Sequence, residues 1–330
     1  LLDVHEDVSN TGMAAWVVDD EGQAHACSVP WQPVIHVHAS HHDLDGLEHW
    51  LGQPEIWQRF GLGQMHMTRA RLDLETHGQT DVLEVGLRSF RHLRGLAEHI
   101  EARGDFHRFK LYSVDAHFAQ RFLNEHECVP FGRVRWSPDD PGRLTPLPQA
   151  SNEGTFPPLH VVKMRFQFQR GQGLPVIDDP IENIHLETVQ EPGLDAPKQT
   201  LSMMLKRDDY SSTASMLSAF QLALNQMDPD VVLTSGGDQR WFPWLVEQSR
   251  VHGISMALGR RSVPLHQSTS QRTIHSYGQT RHRHGAFFLQ GRLHLDVKNS
   301  FIVNEGGLAG LFELAQHSRQ SAQIISRLSP

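Results

Sequence analysis

The sequence lacks the features of two large protein classes. No apolar stretch approaches the roughly 20 residues that a helix needs to cross a bilayer, and no signal-peptide pattern is found. Only two cysteines occur, Cys27 and Cys128, which are too few for a disulfide framework or a zinc site. These absences argue against a membrane protein and a disulfide-stabilised secreted domain, and they fit a reducing cytoplasm.

An excess of positive charge is also missing. The chain has 30 Lys and Arg against 38 Asp and Glu, which gives a formal net charge of −8 and a pI near 6.3. Domains that bind nucleic acid are usually basic as a whole. Any contact with DNA must therefore come from local basic patches, such as Arg260 with Arg261 or residues 281–284, or from regions outside this chain.

The length of 330 residues is enough to bury a full core and predicts two domains. A segment rich in Pro, Gly, Ser and Asp lies near the middle of the chain and is typical of a linker. We therefore predict a domain over residues 1–140, a linker over 141–158 and a second domain over 159–330. Because the chain begins with Leu1 and not with Met, we expect it to be part of a longer polypeptide.

Hydrophobic periodicity predicts strands and helices in both halves. The first half should contain a hairpin of residues 14–18 and 25–29, a strand over 33–38, and helices over 44–58 and 87–102. The second half should contain strands over 159–168 and 181–187 and a helix over 212–227. This pattern predicts a mixed β/α domain followed by a mixed sheet flanked by helices.

The stretch 228–245 organises the second half. Residues 231–233 are two valines and a leucine, and this short apolar run predicts a buried strand. Gly236 and Gly237 allow a tight turn into the next helix. Ligands of α/β sheets bind at the carboxyl ends of strands, so residues 234–241 should face whatever this domain binds.

The same stretch resembles the second exonuclease motif of family B DNA polymerases. Gly237, Asp238, Phe242 and Leu245 match that motif, and Gly236 takes the place of its Asn. The resemblance continues in the family's order at other positions: Arg121-Phe122-Leu123 within 110–132, His252-Gly253-Ile254, Leu258-Gly259-Arg260, and Gly291-Arg292-Leu293-His294-Leu295-Asp296.

The resemblance implies a fold and a parent protein. The fold would be an N-terminal domain of the family B type followed by a ribonuclease-H-like exonuclease domain. The parent would be a DNA-directed DNA polymerase, cytoplasmic and associated with the nucleoid. It would use Mg²⁺ and bind primer-template and single-stranded DNA. The palm, fingers and thumb domains would follow this chain or form a separate one.

The metal-binding positions of the family's exonuclease motifs are replaced. Arg165 and Gln167 stand where the first motif has its Asp and Glu, and Trp241 stands where the second has its Asp. Arginine cannot ligate a metal, and glutamine offers one neutral oxygen. No Asp lies four residues after any of the three tyrosines, Tyr112, Tyr210 and Tyr277. The resemblance therefore implies a degenerate exonuclease site, and no cofactor is expected in this segment.

Two alternatives to an inactive polymerase segment remain open. One is an active 3′–5′ exonuclease with relocated ligands, for which Asp178, Asp238 and Asp296 are the candidates. The other is a separate, non-catalytic DNA-binding scaffold subunit. The letters of the first motif also occur at 73–76, but before the 110–132 signature, so surface charge is the preferred interpretation there.

Four residues are candidates for DNA contact: Arg240, Trp241, Arg260 and Arg261. Trp241 has two interpretations, because it could stack on a base or fill the empty site by packing against Phe166. We also expect Arg165 to occupy the space of a lost metal and to pair with Asp238 or Asp296, since a buried cation needs a partner.

Three further groups in the sequence have both a functional and a structural interpretation. His36, His38, His41 and His42 have spacings that allow a metal site, but solvated histidines are the simpler interpretation. Residues 34–36 fall on a strand that forms a uracil pocket in some archaeal members of the family, yet they lack its aromatic character. Arg121 is expected to support the interface between the domains.

Overall fold

The computed structural model describes residues 1–7, 11–72, 78–137, 139–148, 156–169, 179–195, 200–270, 272–276, 279–283 and 285–328. Residues 272–276 and 279–283 are described by their backbone alone. Within these ranges, no helix has both the length and the apolar character needed to cross a membrane.

A three-stranded antiparallel sheet begins the chain. It consists of β1 (Asp3–Glu6), β2 (Gly12–Val18) and β3 (Ala24–Pro30), with β2 in the centre. This sheet confirms the hairpin predicted from residues 14–18 and 25–29. The strand β2 is buried on both faces, because Met13 and Ala15 belong to the core of the first half while Trp16 joins the core of the second.

The next elements form a four-stranded antiparallel sheet with helices on one face. They are β4 (Val34–His38), α1 (His41–Leu51), α2 (Pro54–Phe60), β5 (Leu62–Ala70), β6 (Thr80–Leu87), α3 (Leu93–Arg103) and β7 (Lys110–Tyr112). The strand order is β5-β6-β4-β7. The order of elements and strands is that of the ferredoxin-like split βαβ arrangement. Ile35 and Val37 of β4 pack against Leu44 and Leu47 of α1, which fixes the helical layer on the sheet.

Two helices differ from their predicted bounds. The helix predicted over 44–58 is two helices, because Pro54 lacks an N–H and begins α2 while Gln53 before it is extended. The helix predicted from residue 87 begins at Leu93. Leu87 instead completes β6, where it pairs with Leu62 and donates its N–H to the Pro33 carbonyl oxygen.

The helix α4 (Phe118–Glu125) and a hairpin of β8 (Val134–Ser137) and β9 (Asp140–Pro146) complete the first half. Residues 140–146 of this hairpin fall almost entirely within the predicted linker. Arg121 of α4 is buried and donates to the carbonyl oxygens of Ser113 (2.7 Å) and Val34 (2.9 Å). Arg121 therefore stabilises the interior of the first half. We had expected it to support the interface between the domains, and that prediction is wrong.

The second half is built on a five-stranded mixed sheet. Its elements are β10 (Val161–Phe168), β11 (Ile181–Thr188), β12 (Ser202–Lys206), α5 (Thr213–Met227), β13 (Val231–Thr234), α6 (Phe242–His252), β14 (Arg272–Ser276), β15 (Gln279–Arg283), β16 (Leu293–Asp296), α7 (Phe301–Ser318) and α8 (Ala322–Ile325). The strand order is β12-β11-β10-β13-β16, and β13 lies parallel to both β10 and β16. The helices α5 and α6 cover one face, and α7 and α8 cover the other. This arrangement confirms the predicted mixed α/β fold with helices on both sides of the sheet.

Candidate functional site

The site lies where β13 ends and α6 begins, as the stretch 228–245 predicts. Gly236 has a φ of 108°, which only glycine adopts readily. A Cβ on Gly237 would lie 3.0 Å from Nε2 of His294, so this position also requires the smallest residue. One π-helical turn, Gly237–Trp241, then leads into α6. Such turns inside or beside α-helices are frequent at functional sites.

Asp238 lies in this turn and is buried with its carboxylate fully occupied. One oxygen accepts the backbone N–H of Phe287 (2.9 Å), and the other accepts Nδ2 of Asn299 (2.8 Å) and Nε of Arg327 (2.9 Å). Burial alone would raise the pKa of the Asp238 carboxyl, but the Arg327 guanidinium and these hydrogen bonds outweigh burial and lower it. The carboxylate is therefore ionised and paired within the protein.

Asp296 closes the turn from the neighbouring strand β16. Its oxygens accept the backbone N–H groups of Gly236 (2.7 Å), Asp238 (2.9 Å) and Lys298 (3.2 Å), and the residue is completely buried. This carboxylate holds the glycine turn in place, which is a structural task.

His294 is fully enclosed and lies beside Asp238, with its Nδ1 3.6 Å from one carboxylate oxygen. Its Nδ1–H donates to the Phe287 carbonyl oxygen (2.7 Å), so its Nε2 accepts from the Thr234 hydroxyl (2.9 Å). Burial lowers the pKa of the His294 imidazole to about 4. The ring is thus neutral at neutral pH, and its two hydrogen bonds connect Thr234 with the Phe287 backbone.

Arg327 and Gln323, which sequence reasoning missed, complete this buried network. Arg327 bonds to Asp238 and donates Nη1 to the His294 carbonyl oxygen (2.8 Å). Gln323 accepts the backbone N–H groups of Leu289 (2.8 Å) and His294 (3.0 Å) and donates to Asp3 of β1 (3.0 Å). Both residues come from the end of the described chain, so no local sequence pattern links them to the turn at Asp238.

The two first-motif positions lie elsewhere than expected. Arg165 is 52% exposed and pairs with Glu187 of β11 at 2.5 Å, so the prediction that it pairs with Asp238 or Asp296 is wrong. The reason is the alternation of side chains along β10, which turns Phe166 into the core and Arg165 to the outer face. Gln167, on the same outer face, donates to Glu182 of β11 (2.8 Å).

Trp241 fills the second-motif position as a buried plug. It is 9% exposed and stacks on Phe166 with ring centroids 5.6 Å apart and an angle of 9° between the planes. Of the two interpretations, the geometry favours packing over an exposed stacking platform for a base.

The remaining candidates for DNA contact differ in exposure. Arg240 is 33% exposed, lies 4.4 Å from the Phe168 ring and donates to Asp179 at 2.7 Å. Arg260 is only 7% exposed and bonds to Asp228 and Asp230, while Arg261 pairs with Asp7. Asp178 and residues 73–76 lie outside the described residues.

A divalent cation does not fit the residues that the structure brings together. Mg²⁺ needs carboxylate oxygens that are free to coordinate it, whereas all four oxygens of Asp238 and Asp296 accept N–H groups. Across the described parts of the chain, no cluster of three or more His, Cys, Asp or Glu is arranged for a metal. His36 instead bonds to Glu84 of β6 (3.1 Å) and to Ser113 (3.2 Å).

Comparison with known proteins gives a fold likeness only. No protein-family model matches the chain, and no curated protein matches it. Among solved structures, the family B DNA polymerase from the hyperthermophilic archaeon Pyrobaculum calidifontis is similar, with a TM-score of 0.67 and 18% identity over 92% of this chain. The chain spans 37% of the length of that polymerase. The mixed α/β architecture is therefore consistent with the N-terminal and exonuclease-like fold of a family B DNA polymerase.

Proposed function

We propose that this chain is the N-terminal and exonuclease-like part of a family B DNA polymerase, and that its exonuclease-like domain contacts DNA without cutting it. Three observations support the relation to family B DNA polymerases: the order of the two halves, the mixed sheet and the likeness to the archaeal polymerase. The sequence matches at 228–245 and 291–296 fall on β13, α6 and β16, which together form one edge of that sheet and the helix beside it.

One observation carries the proposal that DNA is not cut. The carboxylates that remain near the second motif, Asp238 and Asp296, are saturated by N–H groups of the protein itself. Two-metal hydrolysis requires carboxylates that hold the two ions, and the ions then stabilise the attacking and leaving oxygens. Arg165, Gln167 and Trp241 supply none.

The proposed role of the chain is therefore that of a scaffold. The palm, fingers and thumb domains, on the same polypeptide or on a separate chain, would bind Mg²⁺ and add nucleotides. This part would hold primer-template and single-stranded DNA beside them, in the cytoplasm and at the nucleoid. In the second form of this proposal, the chain is a separate subunit that binds DNA and has no catalytic activity of its own.

Arg240 is the best placed of the four candidates to contact DNA. Its side chain is one third exposed, lies next to Trp241 in the chain and is held over the Phe168 ring. A guanidinium in this position can attract a phosphate group, and such contacts weaken as the salt concentration rises.

A nuclease assay tests the proposal. The purified chain is incubated with a 5′-labelled single-stranded oligonucleotide and Mg²⁺ or Mn²⁺, and we expect no shortened products. Metal-dependent 3′–5′ trimming that disappears in Asp238→Ala but persists in Arg250→Ala, a control on the surface of α6, would show an active exonuclease with relocated ligands. Asp178 would then be its third candidate ligand.

Fluorescence anisotropy tests the contact with DNA. We expect weak binding of a primer-template whose affinity falls with salt and falls further in Arg240→Ala. Binding that is equal in Arg240→Ala and the parent chain would move the DNA contact away from this site.

A further inference from the structure

A row of polar side chains crosses the four-stranded sheet of the first half, outside the exonuclease-like site. The register of the strands sets side by side His66 of β5, Glu84 of β6, His36 of β4 and Tyr112 of β7. Their neighbours along each strand belong to the core under α1, α2 and α3, so this row lies on the opposite face of the sheet. Ser113 directly follows β7 and lies beside His36.

Ser113, His36 and Glu84 form a chain of hydrogen bonds. Nδ1 of His36 lies 3.2 Å from the Ser113 hydroxyl oxygen, and its Nε2 lies 3.1 Å from a Glu84 carboxylate oxygen. Because a carboxylate only accepts, Nε2–H donates to Glu84, and Nδ1 accepts the hydroxyl hydrogen of Ser113. This is the order of nucleophile, base and orienting carboxylate in serine hydrolases, with the two ring nitrogens exchanged. The side chains of His36 and Glu84 are 24% and 28% exposed, so the row is open to solvent.

The backbone of Ser113 has an unusual conformation. Its φ of 67° lies in the left-handed region, which residues other than glycine mostly avoid. Nη1 of Arg121 donates to the Ser113 carbonyl oxygen (2.7 Å), and the same guanidinium interacts electrostatically with Glu84. Strained residues cluster at active sites, and α/β-hydrolases present their nucleophilic serine on a strained turn between a strand and a helix. Ser113 likewise lies between β7 and α4.

Two backbone N–H groups follow this serine and are available to a substrate. In the described part of the chain, the N–H groups of Val114 and Asp115 donate to no acceptor. The N–H of the residue after the nucleophile is one of the two donors that bind the oxyanion in α/β-hydrolases. Such donors stabilise the negative charge that develops on a carbonyl oxygen under attack. The parts needed for acyl transfer are therefore present around Ser113.

We propose that Ser113, His36 and Glu84 hydrolyse a carboxylic ester. Ser113 Oγ attacks the carbonyl carbon, and its proton passes to His36 Nδ1 while Glu84 holds the ring. The ester C–O bond then breaks, and the alcohol leaves with that proton. Water attacks the acyl-serine and gives a proton to His36, which returns it to Ser113 Oγ as the carboxylic acid leaves. This activity is independent of the proposed function.

Covalent labelling of the full chain tests this site. A fluorophosphonate forms an adduct with an activated serine, which mass spectrometry locates, and p-nitrophenyl acetate measures ester hydrolysis. We expect an adduct on Ser113, and hydrolysis that falls in Ser113→Ala. His36→Gln should slow labelling about 100-fold or more, the effect of losing a general base. Ser218→Ala removes an exposed hydroxyl that bonds to the Ala214 carbonyl oxygen, so this control should behave like the parent chain.

Two further variants test Glu84, which acts through His36. Glu84→Gln should slow labelling because the amide cannot stabilise the imidazolium, and Glu84→Asp, which keeps the negative charge, should restore part of the rate. Circular dichroism confirms that each variant is folded. A parent chain without an adduct on Ser113, or labelling that is equally fast in His36→Gln, would overturn the proposal. Ester hydrolysis that is equal in Ser113→Ala and the parent chain would overturn it as well.

Discussion

The second half of the chain carries ion pairs in two very different settings. On the outer face of β10, Arg165 pairs with Glu187, and both side chains are at least one third exposed. At the ends of β13 and β16, Asp238 and Arg327 pair in the interior with His294 beside them. Exposed pairs contribute about 0–1 kcal/mol, whereas breaking a buried pair costs about 3–5 kcal/mol. The stability of this domain should therefore depend on the interior pair and hardly at all on the outer one.

The interior setting gives Asp238 and Asp296 a structural role. Side chains on the exposed face of β10, such as Arg165 and Gln167, contribute little to stability. Asp238 and Asp296 instead satisfy buried N–H groups from several elements. These hydrogen bonds give both carboxylates a role in folding.

The largest effect is expected from Arg327→Met. This change leaves the ionised Asp238 buried without its cation, so the free energy of unfolding should fall by about 3–5 kcal/mol. Urea unfolding followed by circular dichroism measures the loss. Arg250→Met, which breaks an exposed pair with Glu247, is the matched control and should leave stability almost unchanged. Equal losses in the two variants would remove the distinction between the two settings.

Trp241→Ala should destabilise the chain by about 3 kcal/mol, because it removes a large ring from the core beside Phe166. Binding of single-stranded DNA should remain unchanged, and Trp241→Phe should lose less stability. Melting curves and anisotropy on the same samples provide both readouts. A stable Trp241→Ala variant with several-fold weaker DNA binding would instead identify the ring as a stacking platform.

The interior network also predicts a pH dependence. The pKa of His294 falls from its ordinary value of 6.5 to about 4 on folding, so between these values the unfolded chain binds the extra proton. Stability should therefore decrease as the pH falls from about 6.5 to about 4, with a slope of up to about 1.4 kcal/mol per pH unit from this group. Urea unfolding at several pH values measures the slope, which His294→Gln should reduce. A slope unchanged in that variant would assign the pH dependence to other groups.

The smallest effect is expected from Arg165→Ala. The side chain is half exposed, so losing its pair with Glu187 should change stability by less than about 1 kcal/mol, and the change should vanish at high salt. Urea unfolding at low and high salt checks this. A loss as large as that of Arg327→Met would mean that Arg165 supports the interior after all.

Local patterns predicted the strand, the glycine turn and the helix at 228–245, because the apolar run and the two glycines act over a few residues. They also identified the packing of Trp241 on Phe166 as one of two interpretations. The partner of Arg165 could not be predicted, because it depends on how β11 aligns with β10 across a long connection. Arg327 lies 89 residues from Asp238 in the sequence, and local sequence patterns do not indicate contacts over such a separation.

Electron paramagnetic resonance of Mn²⁺ added to the full chain tests most directly whether Asp238 and Asp296 are structural and not metal ligands. We expect Mn²⁺ to remain free in solution, with the same spectrum for the parent chain and for Asp296→Asn. A stoichiometrically bound Mn²⁺ that is lost in both Asp238→Asn and Asp296→Asn, while both variants remain folded by circular dichroism, would contradict it.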